Sequence, residues 1–173
     1  MDPDLFDIER KKLFHLWPDV ETISYSIAPY INRFKQDKMA IVIVNDLKGE
    51  NAADFLDKCD RIVRVNVVNE YDNENPDTDT LKEVFNKNTE KFKDKIVQGF
   101  QIKDRDVVCI DKSACTVEKL ELYYNAVKSG GIFCGNGHDV TAVKQALGSF
   151  RRKNKIGSPI LIANKVTWFW YKR

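Results

Sequence analysis

The chain has 173 residues, enough to bury one core and too few for two domains of ordinary size, and its 43% hydrophobic and 31% charged residues exclude a disordered polymer. No apolar run approaches a membrane span, and the opening MDPDLFDIERKK has no apolar stretch behind a basic one; this predicts a cytoplasmic protein without signal peptide or membrane partner. The net charge of +2 is uneven: residues 139–173 hold eight Lys/Arg against one Asp, while the remainder is acidic.

Between residues 20 and 34, Val20, Ile23, Ile27, Tyr30, Ile31 and Phe34 recur at helical spacing. Pro29 interrupts them, which predicts a kink or two short helices. Residues 1–38 are therefore read as a helical segment packed on a domain spanning 39–173.

From residue 39 the pattern changes to short β-branched runs: MAIVIV (39–44), RIVRVNVV (61–68), KIVQG (95–99), DVVCID (106–111), GIFCG (131–135), PILIA (159–163) and VTWFWY (166–171). Helices with one apolar face are predicted between them at 51–59, 79–93, 116–128 and 140–153. Such alternation specifies right-handed crossovers and a parallel sheet covered on both faces. Only Asn164-Lys165 joins the last two strands, so the final strand must run antiparallel. The predicted fold is one three-layer, Rossmann-like α/β domain with a seven-stranded, mostly parallel sheet.

Several residue groups invite two readings. The cysteines Cys59, Cys109, Cys115 and Cys134 show no C-x-x-C pair and read as reduced core residues. RRKNK (151–155) reads as a cationic helix end rather than a nucleic-acid patch, since no aromatic residues interleave with it. WFWY (168–171) reads as core packing rather than a base-stacking platform. His138 beside Asp139 could form an acid/base pair, but Asp139 also stands where a helix N-cap belongs, leaving the histidine near a pocket mouth.

KGENAADFL after the first strand, CID with TVEKLELYYNAVKSGGIFCG at 109–135, and VKQALGSF at 143–150 resemble the class I S-adenosylmethionine-dependent methyltransferases, in particular the small type reading EIGxxxGES, IDGDHSYE and GGxxxGDD. The resemblance covers most of the chain after residue 39. It implies S-adenosyl-L-methionine as cofactor and a small-molecule or sugar-like methyl acceptor, with a homo-oligomer among the expected assemblies. In open α/β sheets ligands lie beyond the carboxyl ends of the strands where strand order reverses. The implied cofactor residues are Asn45, Lys48, Gly49, Asn69, Glu70, Gly99, Phe100 and Asp111, with Asp111 and His138 as the catalytic candidates. Gly49 is expected to let the backbone approach the cofactor, and the helix starting near Asn51 to aim amides at it.

The departures from that pattern are specific. Its first-strand acid falls on Ile43, its first glycine on Asn45 and its ribose-binding acid on Asn69, with Glu70 beside it. IDGDH becomes Ile110-Asp111-Lys112-Ser113-Ala114, and GDD becomes Gly135-Asn136-Gly137, which leaves too few carboxylates for a tightly bound divalent metal. A non-catalytic binding or assembly module on the same fold is the alternative reading.

Overall fold

The computed structural model describes residues 22–99 and 103–173. Seven strands form one sheet: β1 (Met39–Val44), β2 (Ile62–Val68), β3 (Ile96–Gln98), β4 (Arg105–Ile110), β5 (Val127–Gly135), β6 (Leu161–Ala163) and β7 (Thr167–Tyr171), in the order β3-β2-β1-β4-β5-β7-β6. β1 to β5 pair in parallel, whereas β7 runs antiparallel to both β5 and β6. Asn164 and Lys165 both take positive φ, 50° and 67°, the conformation that a tight hairpin link requires.

The alternation of side chains along β1 divides the core. Ile41 and Ile43 face the layer of α1 (Ile23–Ile31), α2 (Glu50–Lys58) and α3 (Thr78–Thr89), where they meet Ile27, Phe55 and Phe85. Val42 and Val44 face α4 (Val117–Tyr124) and α5 (Thr141–Lys153), meeting Leu120, Leu147 and Phe150. β7 divides in the same way: Trp168 and Trp170 enter the α4–α5 side, and Phe169 packs on Tyr30 at 4.5 Å on the other. WFWY is core, as its sequence reading holds. Each layer buries one apolar stripe per helix, which makes the domain three-layered.

Helix boundaries follow tertiary context where the sequence pattern leaves them loose. The division expected at Pro29 does not occur: α1 runs through the proline, which stands in its last turn, and no second helix follows before β1. Arg61 ties the exit of α1 to the sheet, its guanidinium donating to the carbonyl oxygens of Ile31, Phe34 and Gln36. Val20 of the same pattern lies outside the described residues. α1 is pinned to α2 by Asp54, which accepts from the Thr22 and Ser24 hydroxyls at 3.0 and 2.6 Å.

The helix predicted over 79–93 passes into a 3₁₀ turn at Glu90–Lys95. That over 116–128 ends at Tyr124, because β5 begins at Val127 and pairs with Arg105 before the register shifts. Asp139 is not an N-cap. Val140 holds that position without a side-chain bond, its N–H donating to the Gly137 carbonyl at 2.9 Å. The basic end of α5 is partly structural: Arg151 lies over the Trp170 ring at 4.7 Å and Lys153 pairs with Glu121 at 2.6 Å. All four cysteines are free and buried, with Cys109 and Cys134 on paired strands and their sulfurs 3.1 Å apart.

Gly135, at the end of β5, is packed tightly between its two neighbouring strands, β4 and β7. A Cβ there would lie 2.3 Å from Trp168 Cζ2 and 2.5 Å from the Ile110 carbonyl oxygen. Gly135→Ala is expected to destabilise the protein by about 1–3 kcal/mol through overpacking, measured as a lower urea midpoint. An unchanged midpoint would contradict this packing.

Candidate functional site

β1 is the point where strand order reverses, with β2 on one edge and β4 on the other, so a crevice opens above the carboxyl ends of β1 and β4. Four loops border it, after β1, β2, β4 and β5. Asn45, the first residue after β1, takes φ 61°, a conformation asparagine tolerates better than other side chains of its size. Its backbone N–H extends the ladder to the Val68 carbonyl at 2.8 Å.

Asp46 turns inward and is 3% exposed. Its carboxylate accepts the Ala52 N–H at 2.8 Å, the Asn51 N–H at 3.2 Å and the Asn51 side-chain amide at 3.3 Å. The two backbone donors are the second and third amides of α2, so a protein carboxylate occupies part of the helix N-terminus expected to face a cofactor. Burial pushes this carboxyl up to about 6 from 3.8 despite the three hydrogen bonds, and the charge of Asp111 adds to the rise.

Gly49 has φ 74°, as a turn glycine should, but its missing side chain makes room for a different neighbour from the one expected. A Cβ would meet Thr89 Cγ2 at 2.6 Å and Phe85 Cδ2 at 3.0 Å. The glycine lets the turn pack on α3. Lys48 is half-buried, which lowers its ammonium below the ordinary value, and its carbonyl accepts from Asn88 at 3.0 Å.

After β2 the two candidates part company. Asn69 turns under the first loop, its amide donating to the Asp46 carbonyl at 3.1 Å and to the Tyr71 hydroxyl at 3.2 Å. Tyr71 in turn donates to the Leu47 carbonyl at 2.8 Å. Glu70 goes the other way. Its N–H donates to Asn45 Oδ1 at 2.9 Å, and its carboxylate reaches across the crevice to pair with Lys119 on α4.

Asp111, after β4, accepts from the Ser113 N–H at 3.0 Å, the Ser113 hydroxyl at 2.6 Å and the Asn136 amide at 3.0 Å. It thus caps the short 3₁₀ turn Lys112–Ala114. Asn136 accepts from the Lys112 N–H at 2.6 Å, and Asn45 donates to Ser113 Oγ at 3.1 Å. A continuous polar chain therefore runs from Lys119 through Glu70, Asn45, Ser113 and Asp111 to Asn136, linking all four loops.

The structure brings Asn45, Glu70 and Asp111 together, with Asn69 beneath them. His138 does not enter this chain; its N–H donates to the Val166 carbonyl at 2.9 Å. Burial and nearby Lys144 lower its imidazole below the ordinary value, against the opposing effect of Asp139. Gly99 has φ 104° with open space around it, and Phe100 lies outside the described residues. Ile43 is sealed in the core. Among the described residues no group of three His, Cys, Asp or Glu could hold a metal ion.

Asp46 and Lys119 are the site residues that motif reading misses. A polar pair directly after a buried strand, followed by glycine and then a helix, is the signal that could have marked Asp46. Two hollows lie off the crevice. A groove of about 1070 Å³ is lined by Tyr25, Tyr30, Arg33, Lys58 and Ile162, and a hollow of about 320 Å³ lies behind Asn69 against Tyr71, Lys82, Phe85 and Gln98.

No family model matches the chain, and no curated protein is similar to it in sequence. Solved structures match its fold. The O-methyltransferase from Bacillus cereus in complex with SAH is 12% identical, with a TM-score of 0.64 over 94% of this chain and 90% of that one. The precorrin-6y C5,15-methyltransferase from Geobacter metallireducens is 12% identical, with a TM-score of 0.61 over 86% and 88%. The O-methyltransferase NovP is 14% identical, with a TM-score of 0.60 over 94% and 79%. The chain has the class I methyltransferase fold, and at these identities the likeness is one of fold.

Asp46 makes stability depend on pH in a known direction. Between pH 3.8 and about 6 the folded protein keeps a proton that the unfolded chain has released, so stability falls as pH rises through that window. The contribution is about 3 kcal/mol across it. Urea unfolding of wild type and Asp46→Asn at pH 4, 5, 6 and 7 should show the wild-type advantage shrinking with rising pH; a difference constant with pH would contradict this.

Proposed function

We propose that the crevice seats the nucleoside of S-adenosyl-L-methionine and that the chain is a methyltransferase acting on a small-molecule acceptor. The observation that carries this reading is Glu70. Its carboxylate stands above the switch point of the sheet, where it can accept two ribose hydroxyls in place of Asn69, whose NH2 donates to Asp46 and Tyr71 and whose Oδ1 is buried. The side chains of Lys119 and Glu70 are 30% and 49% exposed, so opening their ion pair costs about 1 kcal/mol or less.

The ribose of the cofactor fits the carboxylate acceptors of Glu70. The amino-acid half finds no polar group at Ile43, and two amides at the start of α2 already donate to Asp46. When bound, the cofactor supplies an electrophilic methyl group on a sulfonium, and methyl transfer asks the protein mainly for alignment. Asp111, fixed by Ser113 and Asn136, is the acid that holds an acceptor in place. His138, neutral at pH 7 because its imidazole is lowered, can take the proton from an acceptor hydroxyl.

A second reading, a binding or assembly module without turnover, is favoured by Ile43 and by the carboxylate of Asp46 on the α2 amides. The two separate on binding. Calorimetric titration with S-adenosylhomocysteine should give a measurable affinity that Glu70→Ala weakens at least tenfold, about 1.4 kcal/mol. Wild-type protein that binds neither S-adenosylmethionine nor S-adenosylhomocysteine would support the module and contradict the enzyme reading.

A further inference from the structure

Seating a ribose on Glu70 displaces a charge. The Lys119 ammonium donates to Oε2 of Glu70, one of the two carboxylate oxygens that a ribose diol takes. Lys119 stands in the first turn of α4, where its N–H donates to the capping Thr116 hydroxyl at 3.3 Å. One turn on, burial and then the charge of Glu70 raise the phenol of Tyr123, so the Glu70 carboxylate rests against α4. The crevice thus carries its own cation on the ribose seat, and that cation competes with a nucleoside for one acid.

Once released, the ammonium meets carboxylates that are already spent. Asp111, after β4, has both oxygens engaged, by Ser113 and Asn136. Asp46, after β1, is buried and accepts three hydrogen bonds. Glu121, on α4 itself, pairs with Lys153. A lysine side chain only 30% exposed that has lost its counter-charge attracts an incoming anion through a charge-assisted hydrogen bond.

We propose that Lys119 is the anion-binding residue of the crevice: it leaves Glu70 as a nucleoside seats there, and then takes a carboxylate or phosphate group, from the cofactor's own tail or from the acceptor. This rests on the ribose seat at Glu70. It makes Lys119 a specificity-determining residue, which weakens the binding of a neutral nucleoside and strengthens binding that brings an anion.

Calorimetric titrations of the full chain, as wild type, Lys119→Met and Lys119→Arg, with adenosine, 5′-methylthioadenosine and S-adenosylhomocysteine provide the test. Lys119→Met should bind adenosine about two- to fivefold tighter than wild type, because no ion pair has to open. If the cofactor tail supplies the anion, wild type should bind S-adenosylhomocysteine about fivefold or more tighter than 5′-methylthioadenosine, and Lys119→Met should lose that advantage. If the acceptor supplies it, wild type should bind 5′-methylthioadenosine about threefold or more tighter in phosphate than in chloride of equal ionic strength, again only while Lys119 is present. Lys119→Arg, which keeps the charge, should follow wild type in both arms. Lys119→Met that matches wild type with all three ligands and in both buffers would overturn the assignment and leave the ribose seat standing. No binding of any of the three ligands by wild type would overturn both.

Discussion

Everything at the candidate site follows from β1 being hydrogen-bonded along both edges to parallel strands. Its partners Val68 and Ile110 stand on either side of Val44, and the helices that follow β1 and β4 pack on opposite faces of the sheet. The chain must therefore leave β1 and β4 in divergent directions, and a gap opens above their carboxyl ends. In this protein the gap is bridged by polar side chains that reach across from one loop to the next. Most of these contacts are exposed and individually weak, so a ligand can replace them at small cost.

Asp46 is the contact of a different kind. A carboxylate buried on two amides of α2 fixes the turn after β1 from within, and burial raises its carboxyl to about 6. Satisfying those amides internally stabilises the loop in the absence of ligand. The same arrangement occupies two of the amides that a bound anion would otherwise use. Ile43 belongs to the same change, since the end of β1 has become wholly apolar on its α2 side. The polar interactions are left to Glu70 and Asp111, on the far side of the crevice.

The seven strands were legible because buried parallel strands read as short β-branched runs, and the antiparallel β7 because a two-residue link permits nothing else. The end of α4 was not legible: Val127 continues the helical pattern, and only its pairing with Arg105 makes it strand. Gly49 announced a positive φ, but the neighbour that needs its small size, Thr89 on α3, is forty residues away and appears only in the folded packing. Asn69 and Glu70 were indistinguishable as ribose partners in sequence. Their division of labour depends on Tyr71, whose hydroxyl helps turn Asn69 beneath the loop. Asp46 escaped notice because an inward carboxylate and a solvated one share the same letter.

The central claim is that ligands enter above β1 and β4 on the Glu70 side. Amide chemical-shift mapping with adenosine on isotope-labelled protein tests it most directly. The account predicts perturbations concentrated at Asn45, Glu70, Ser113 and Lys119, with Tyr25, Arg33 and Ile162 at the separate groove unmoved. Perturbations confined to that groove, or none at saturating adenosine, would contradict it.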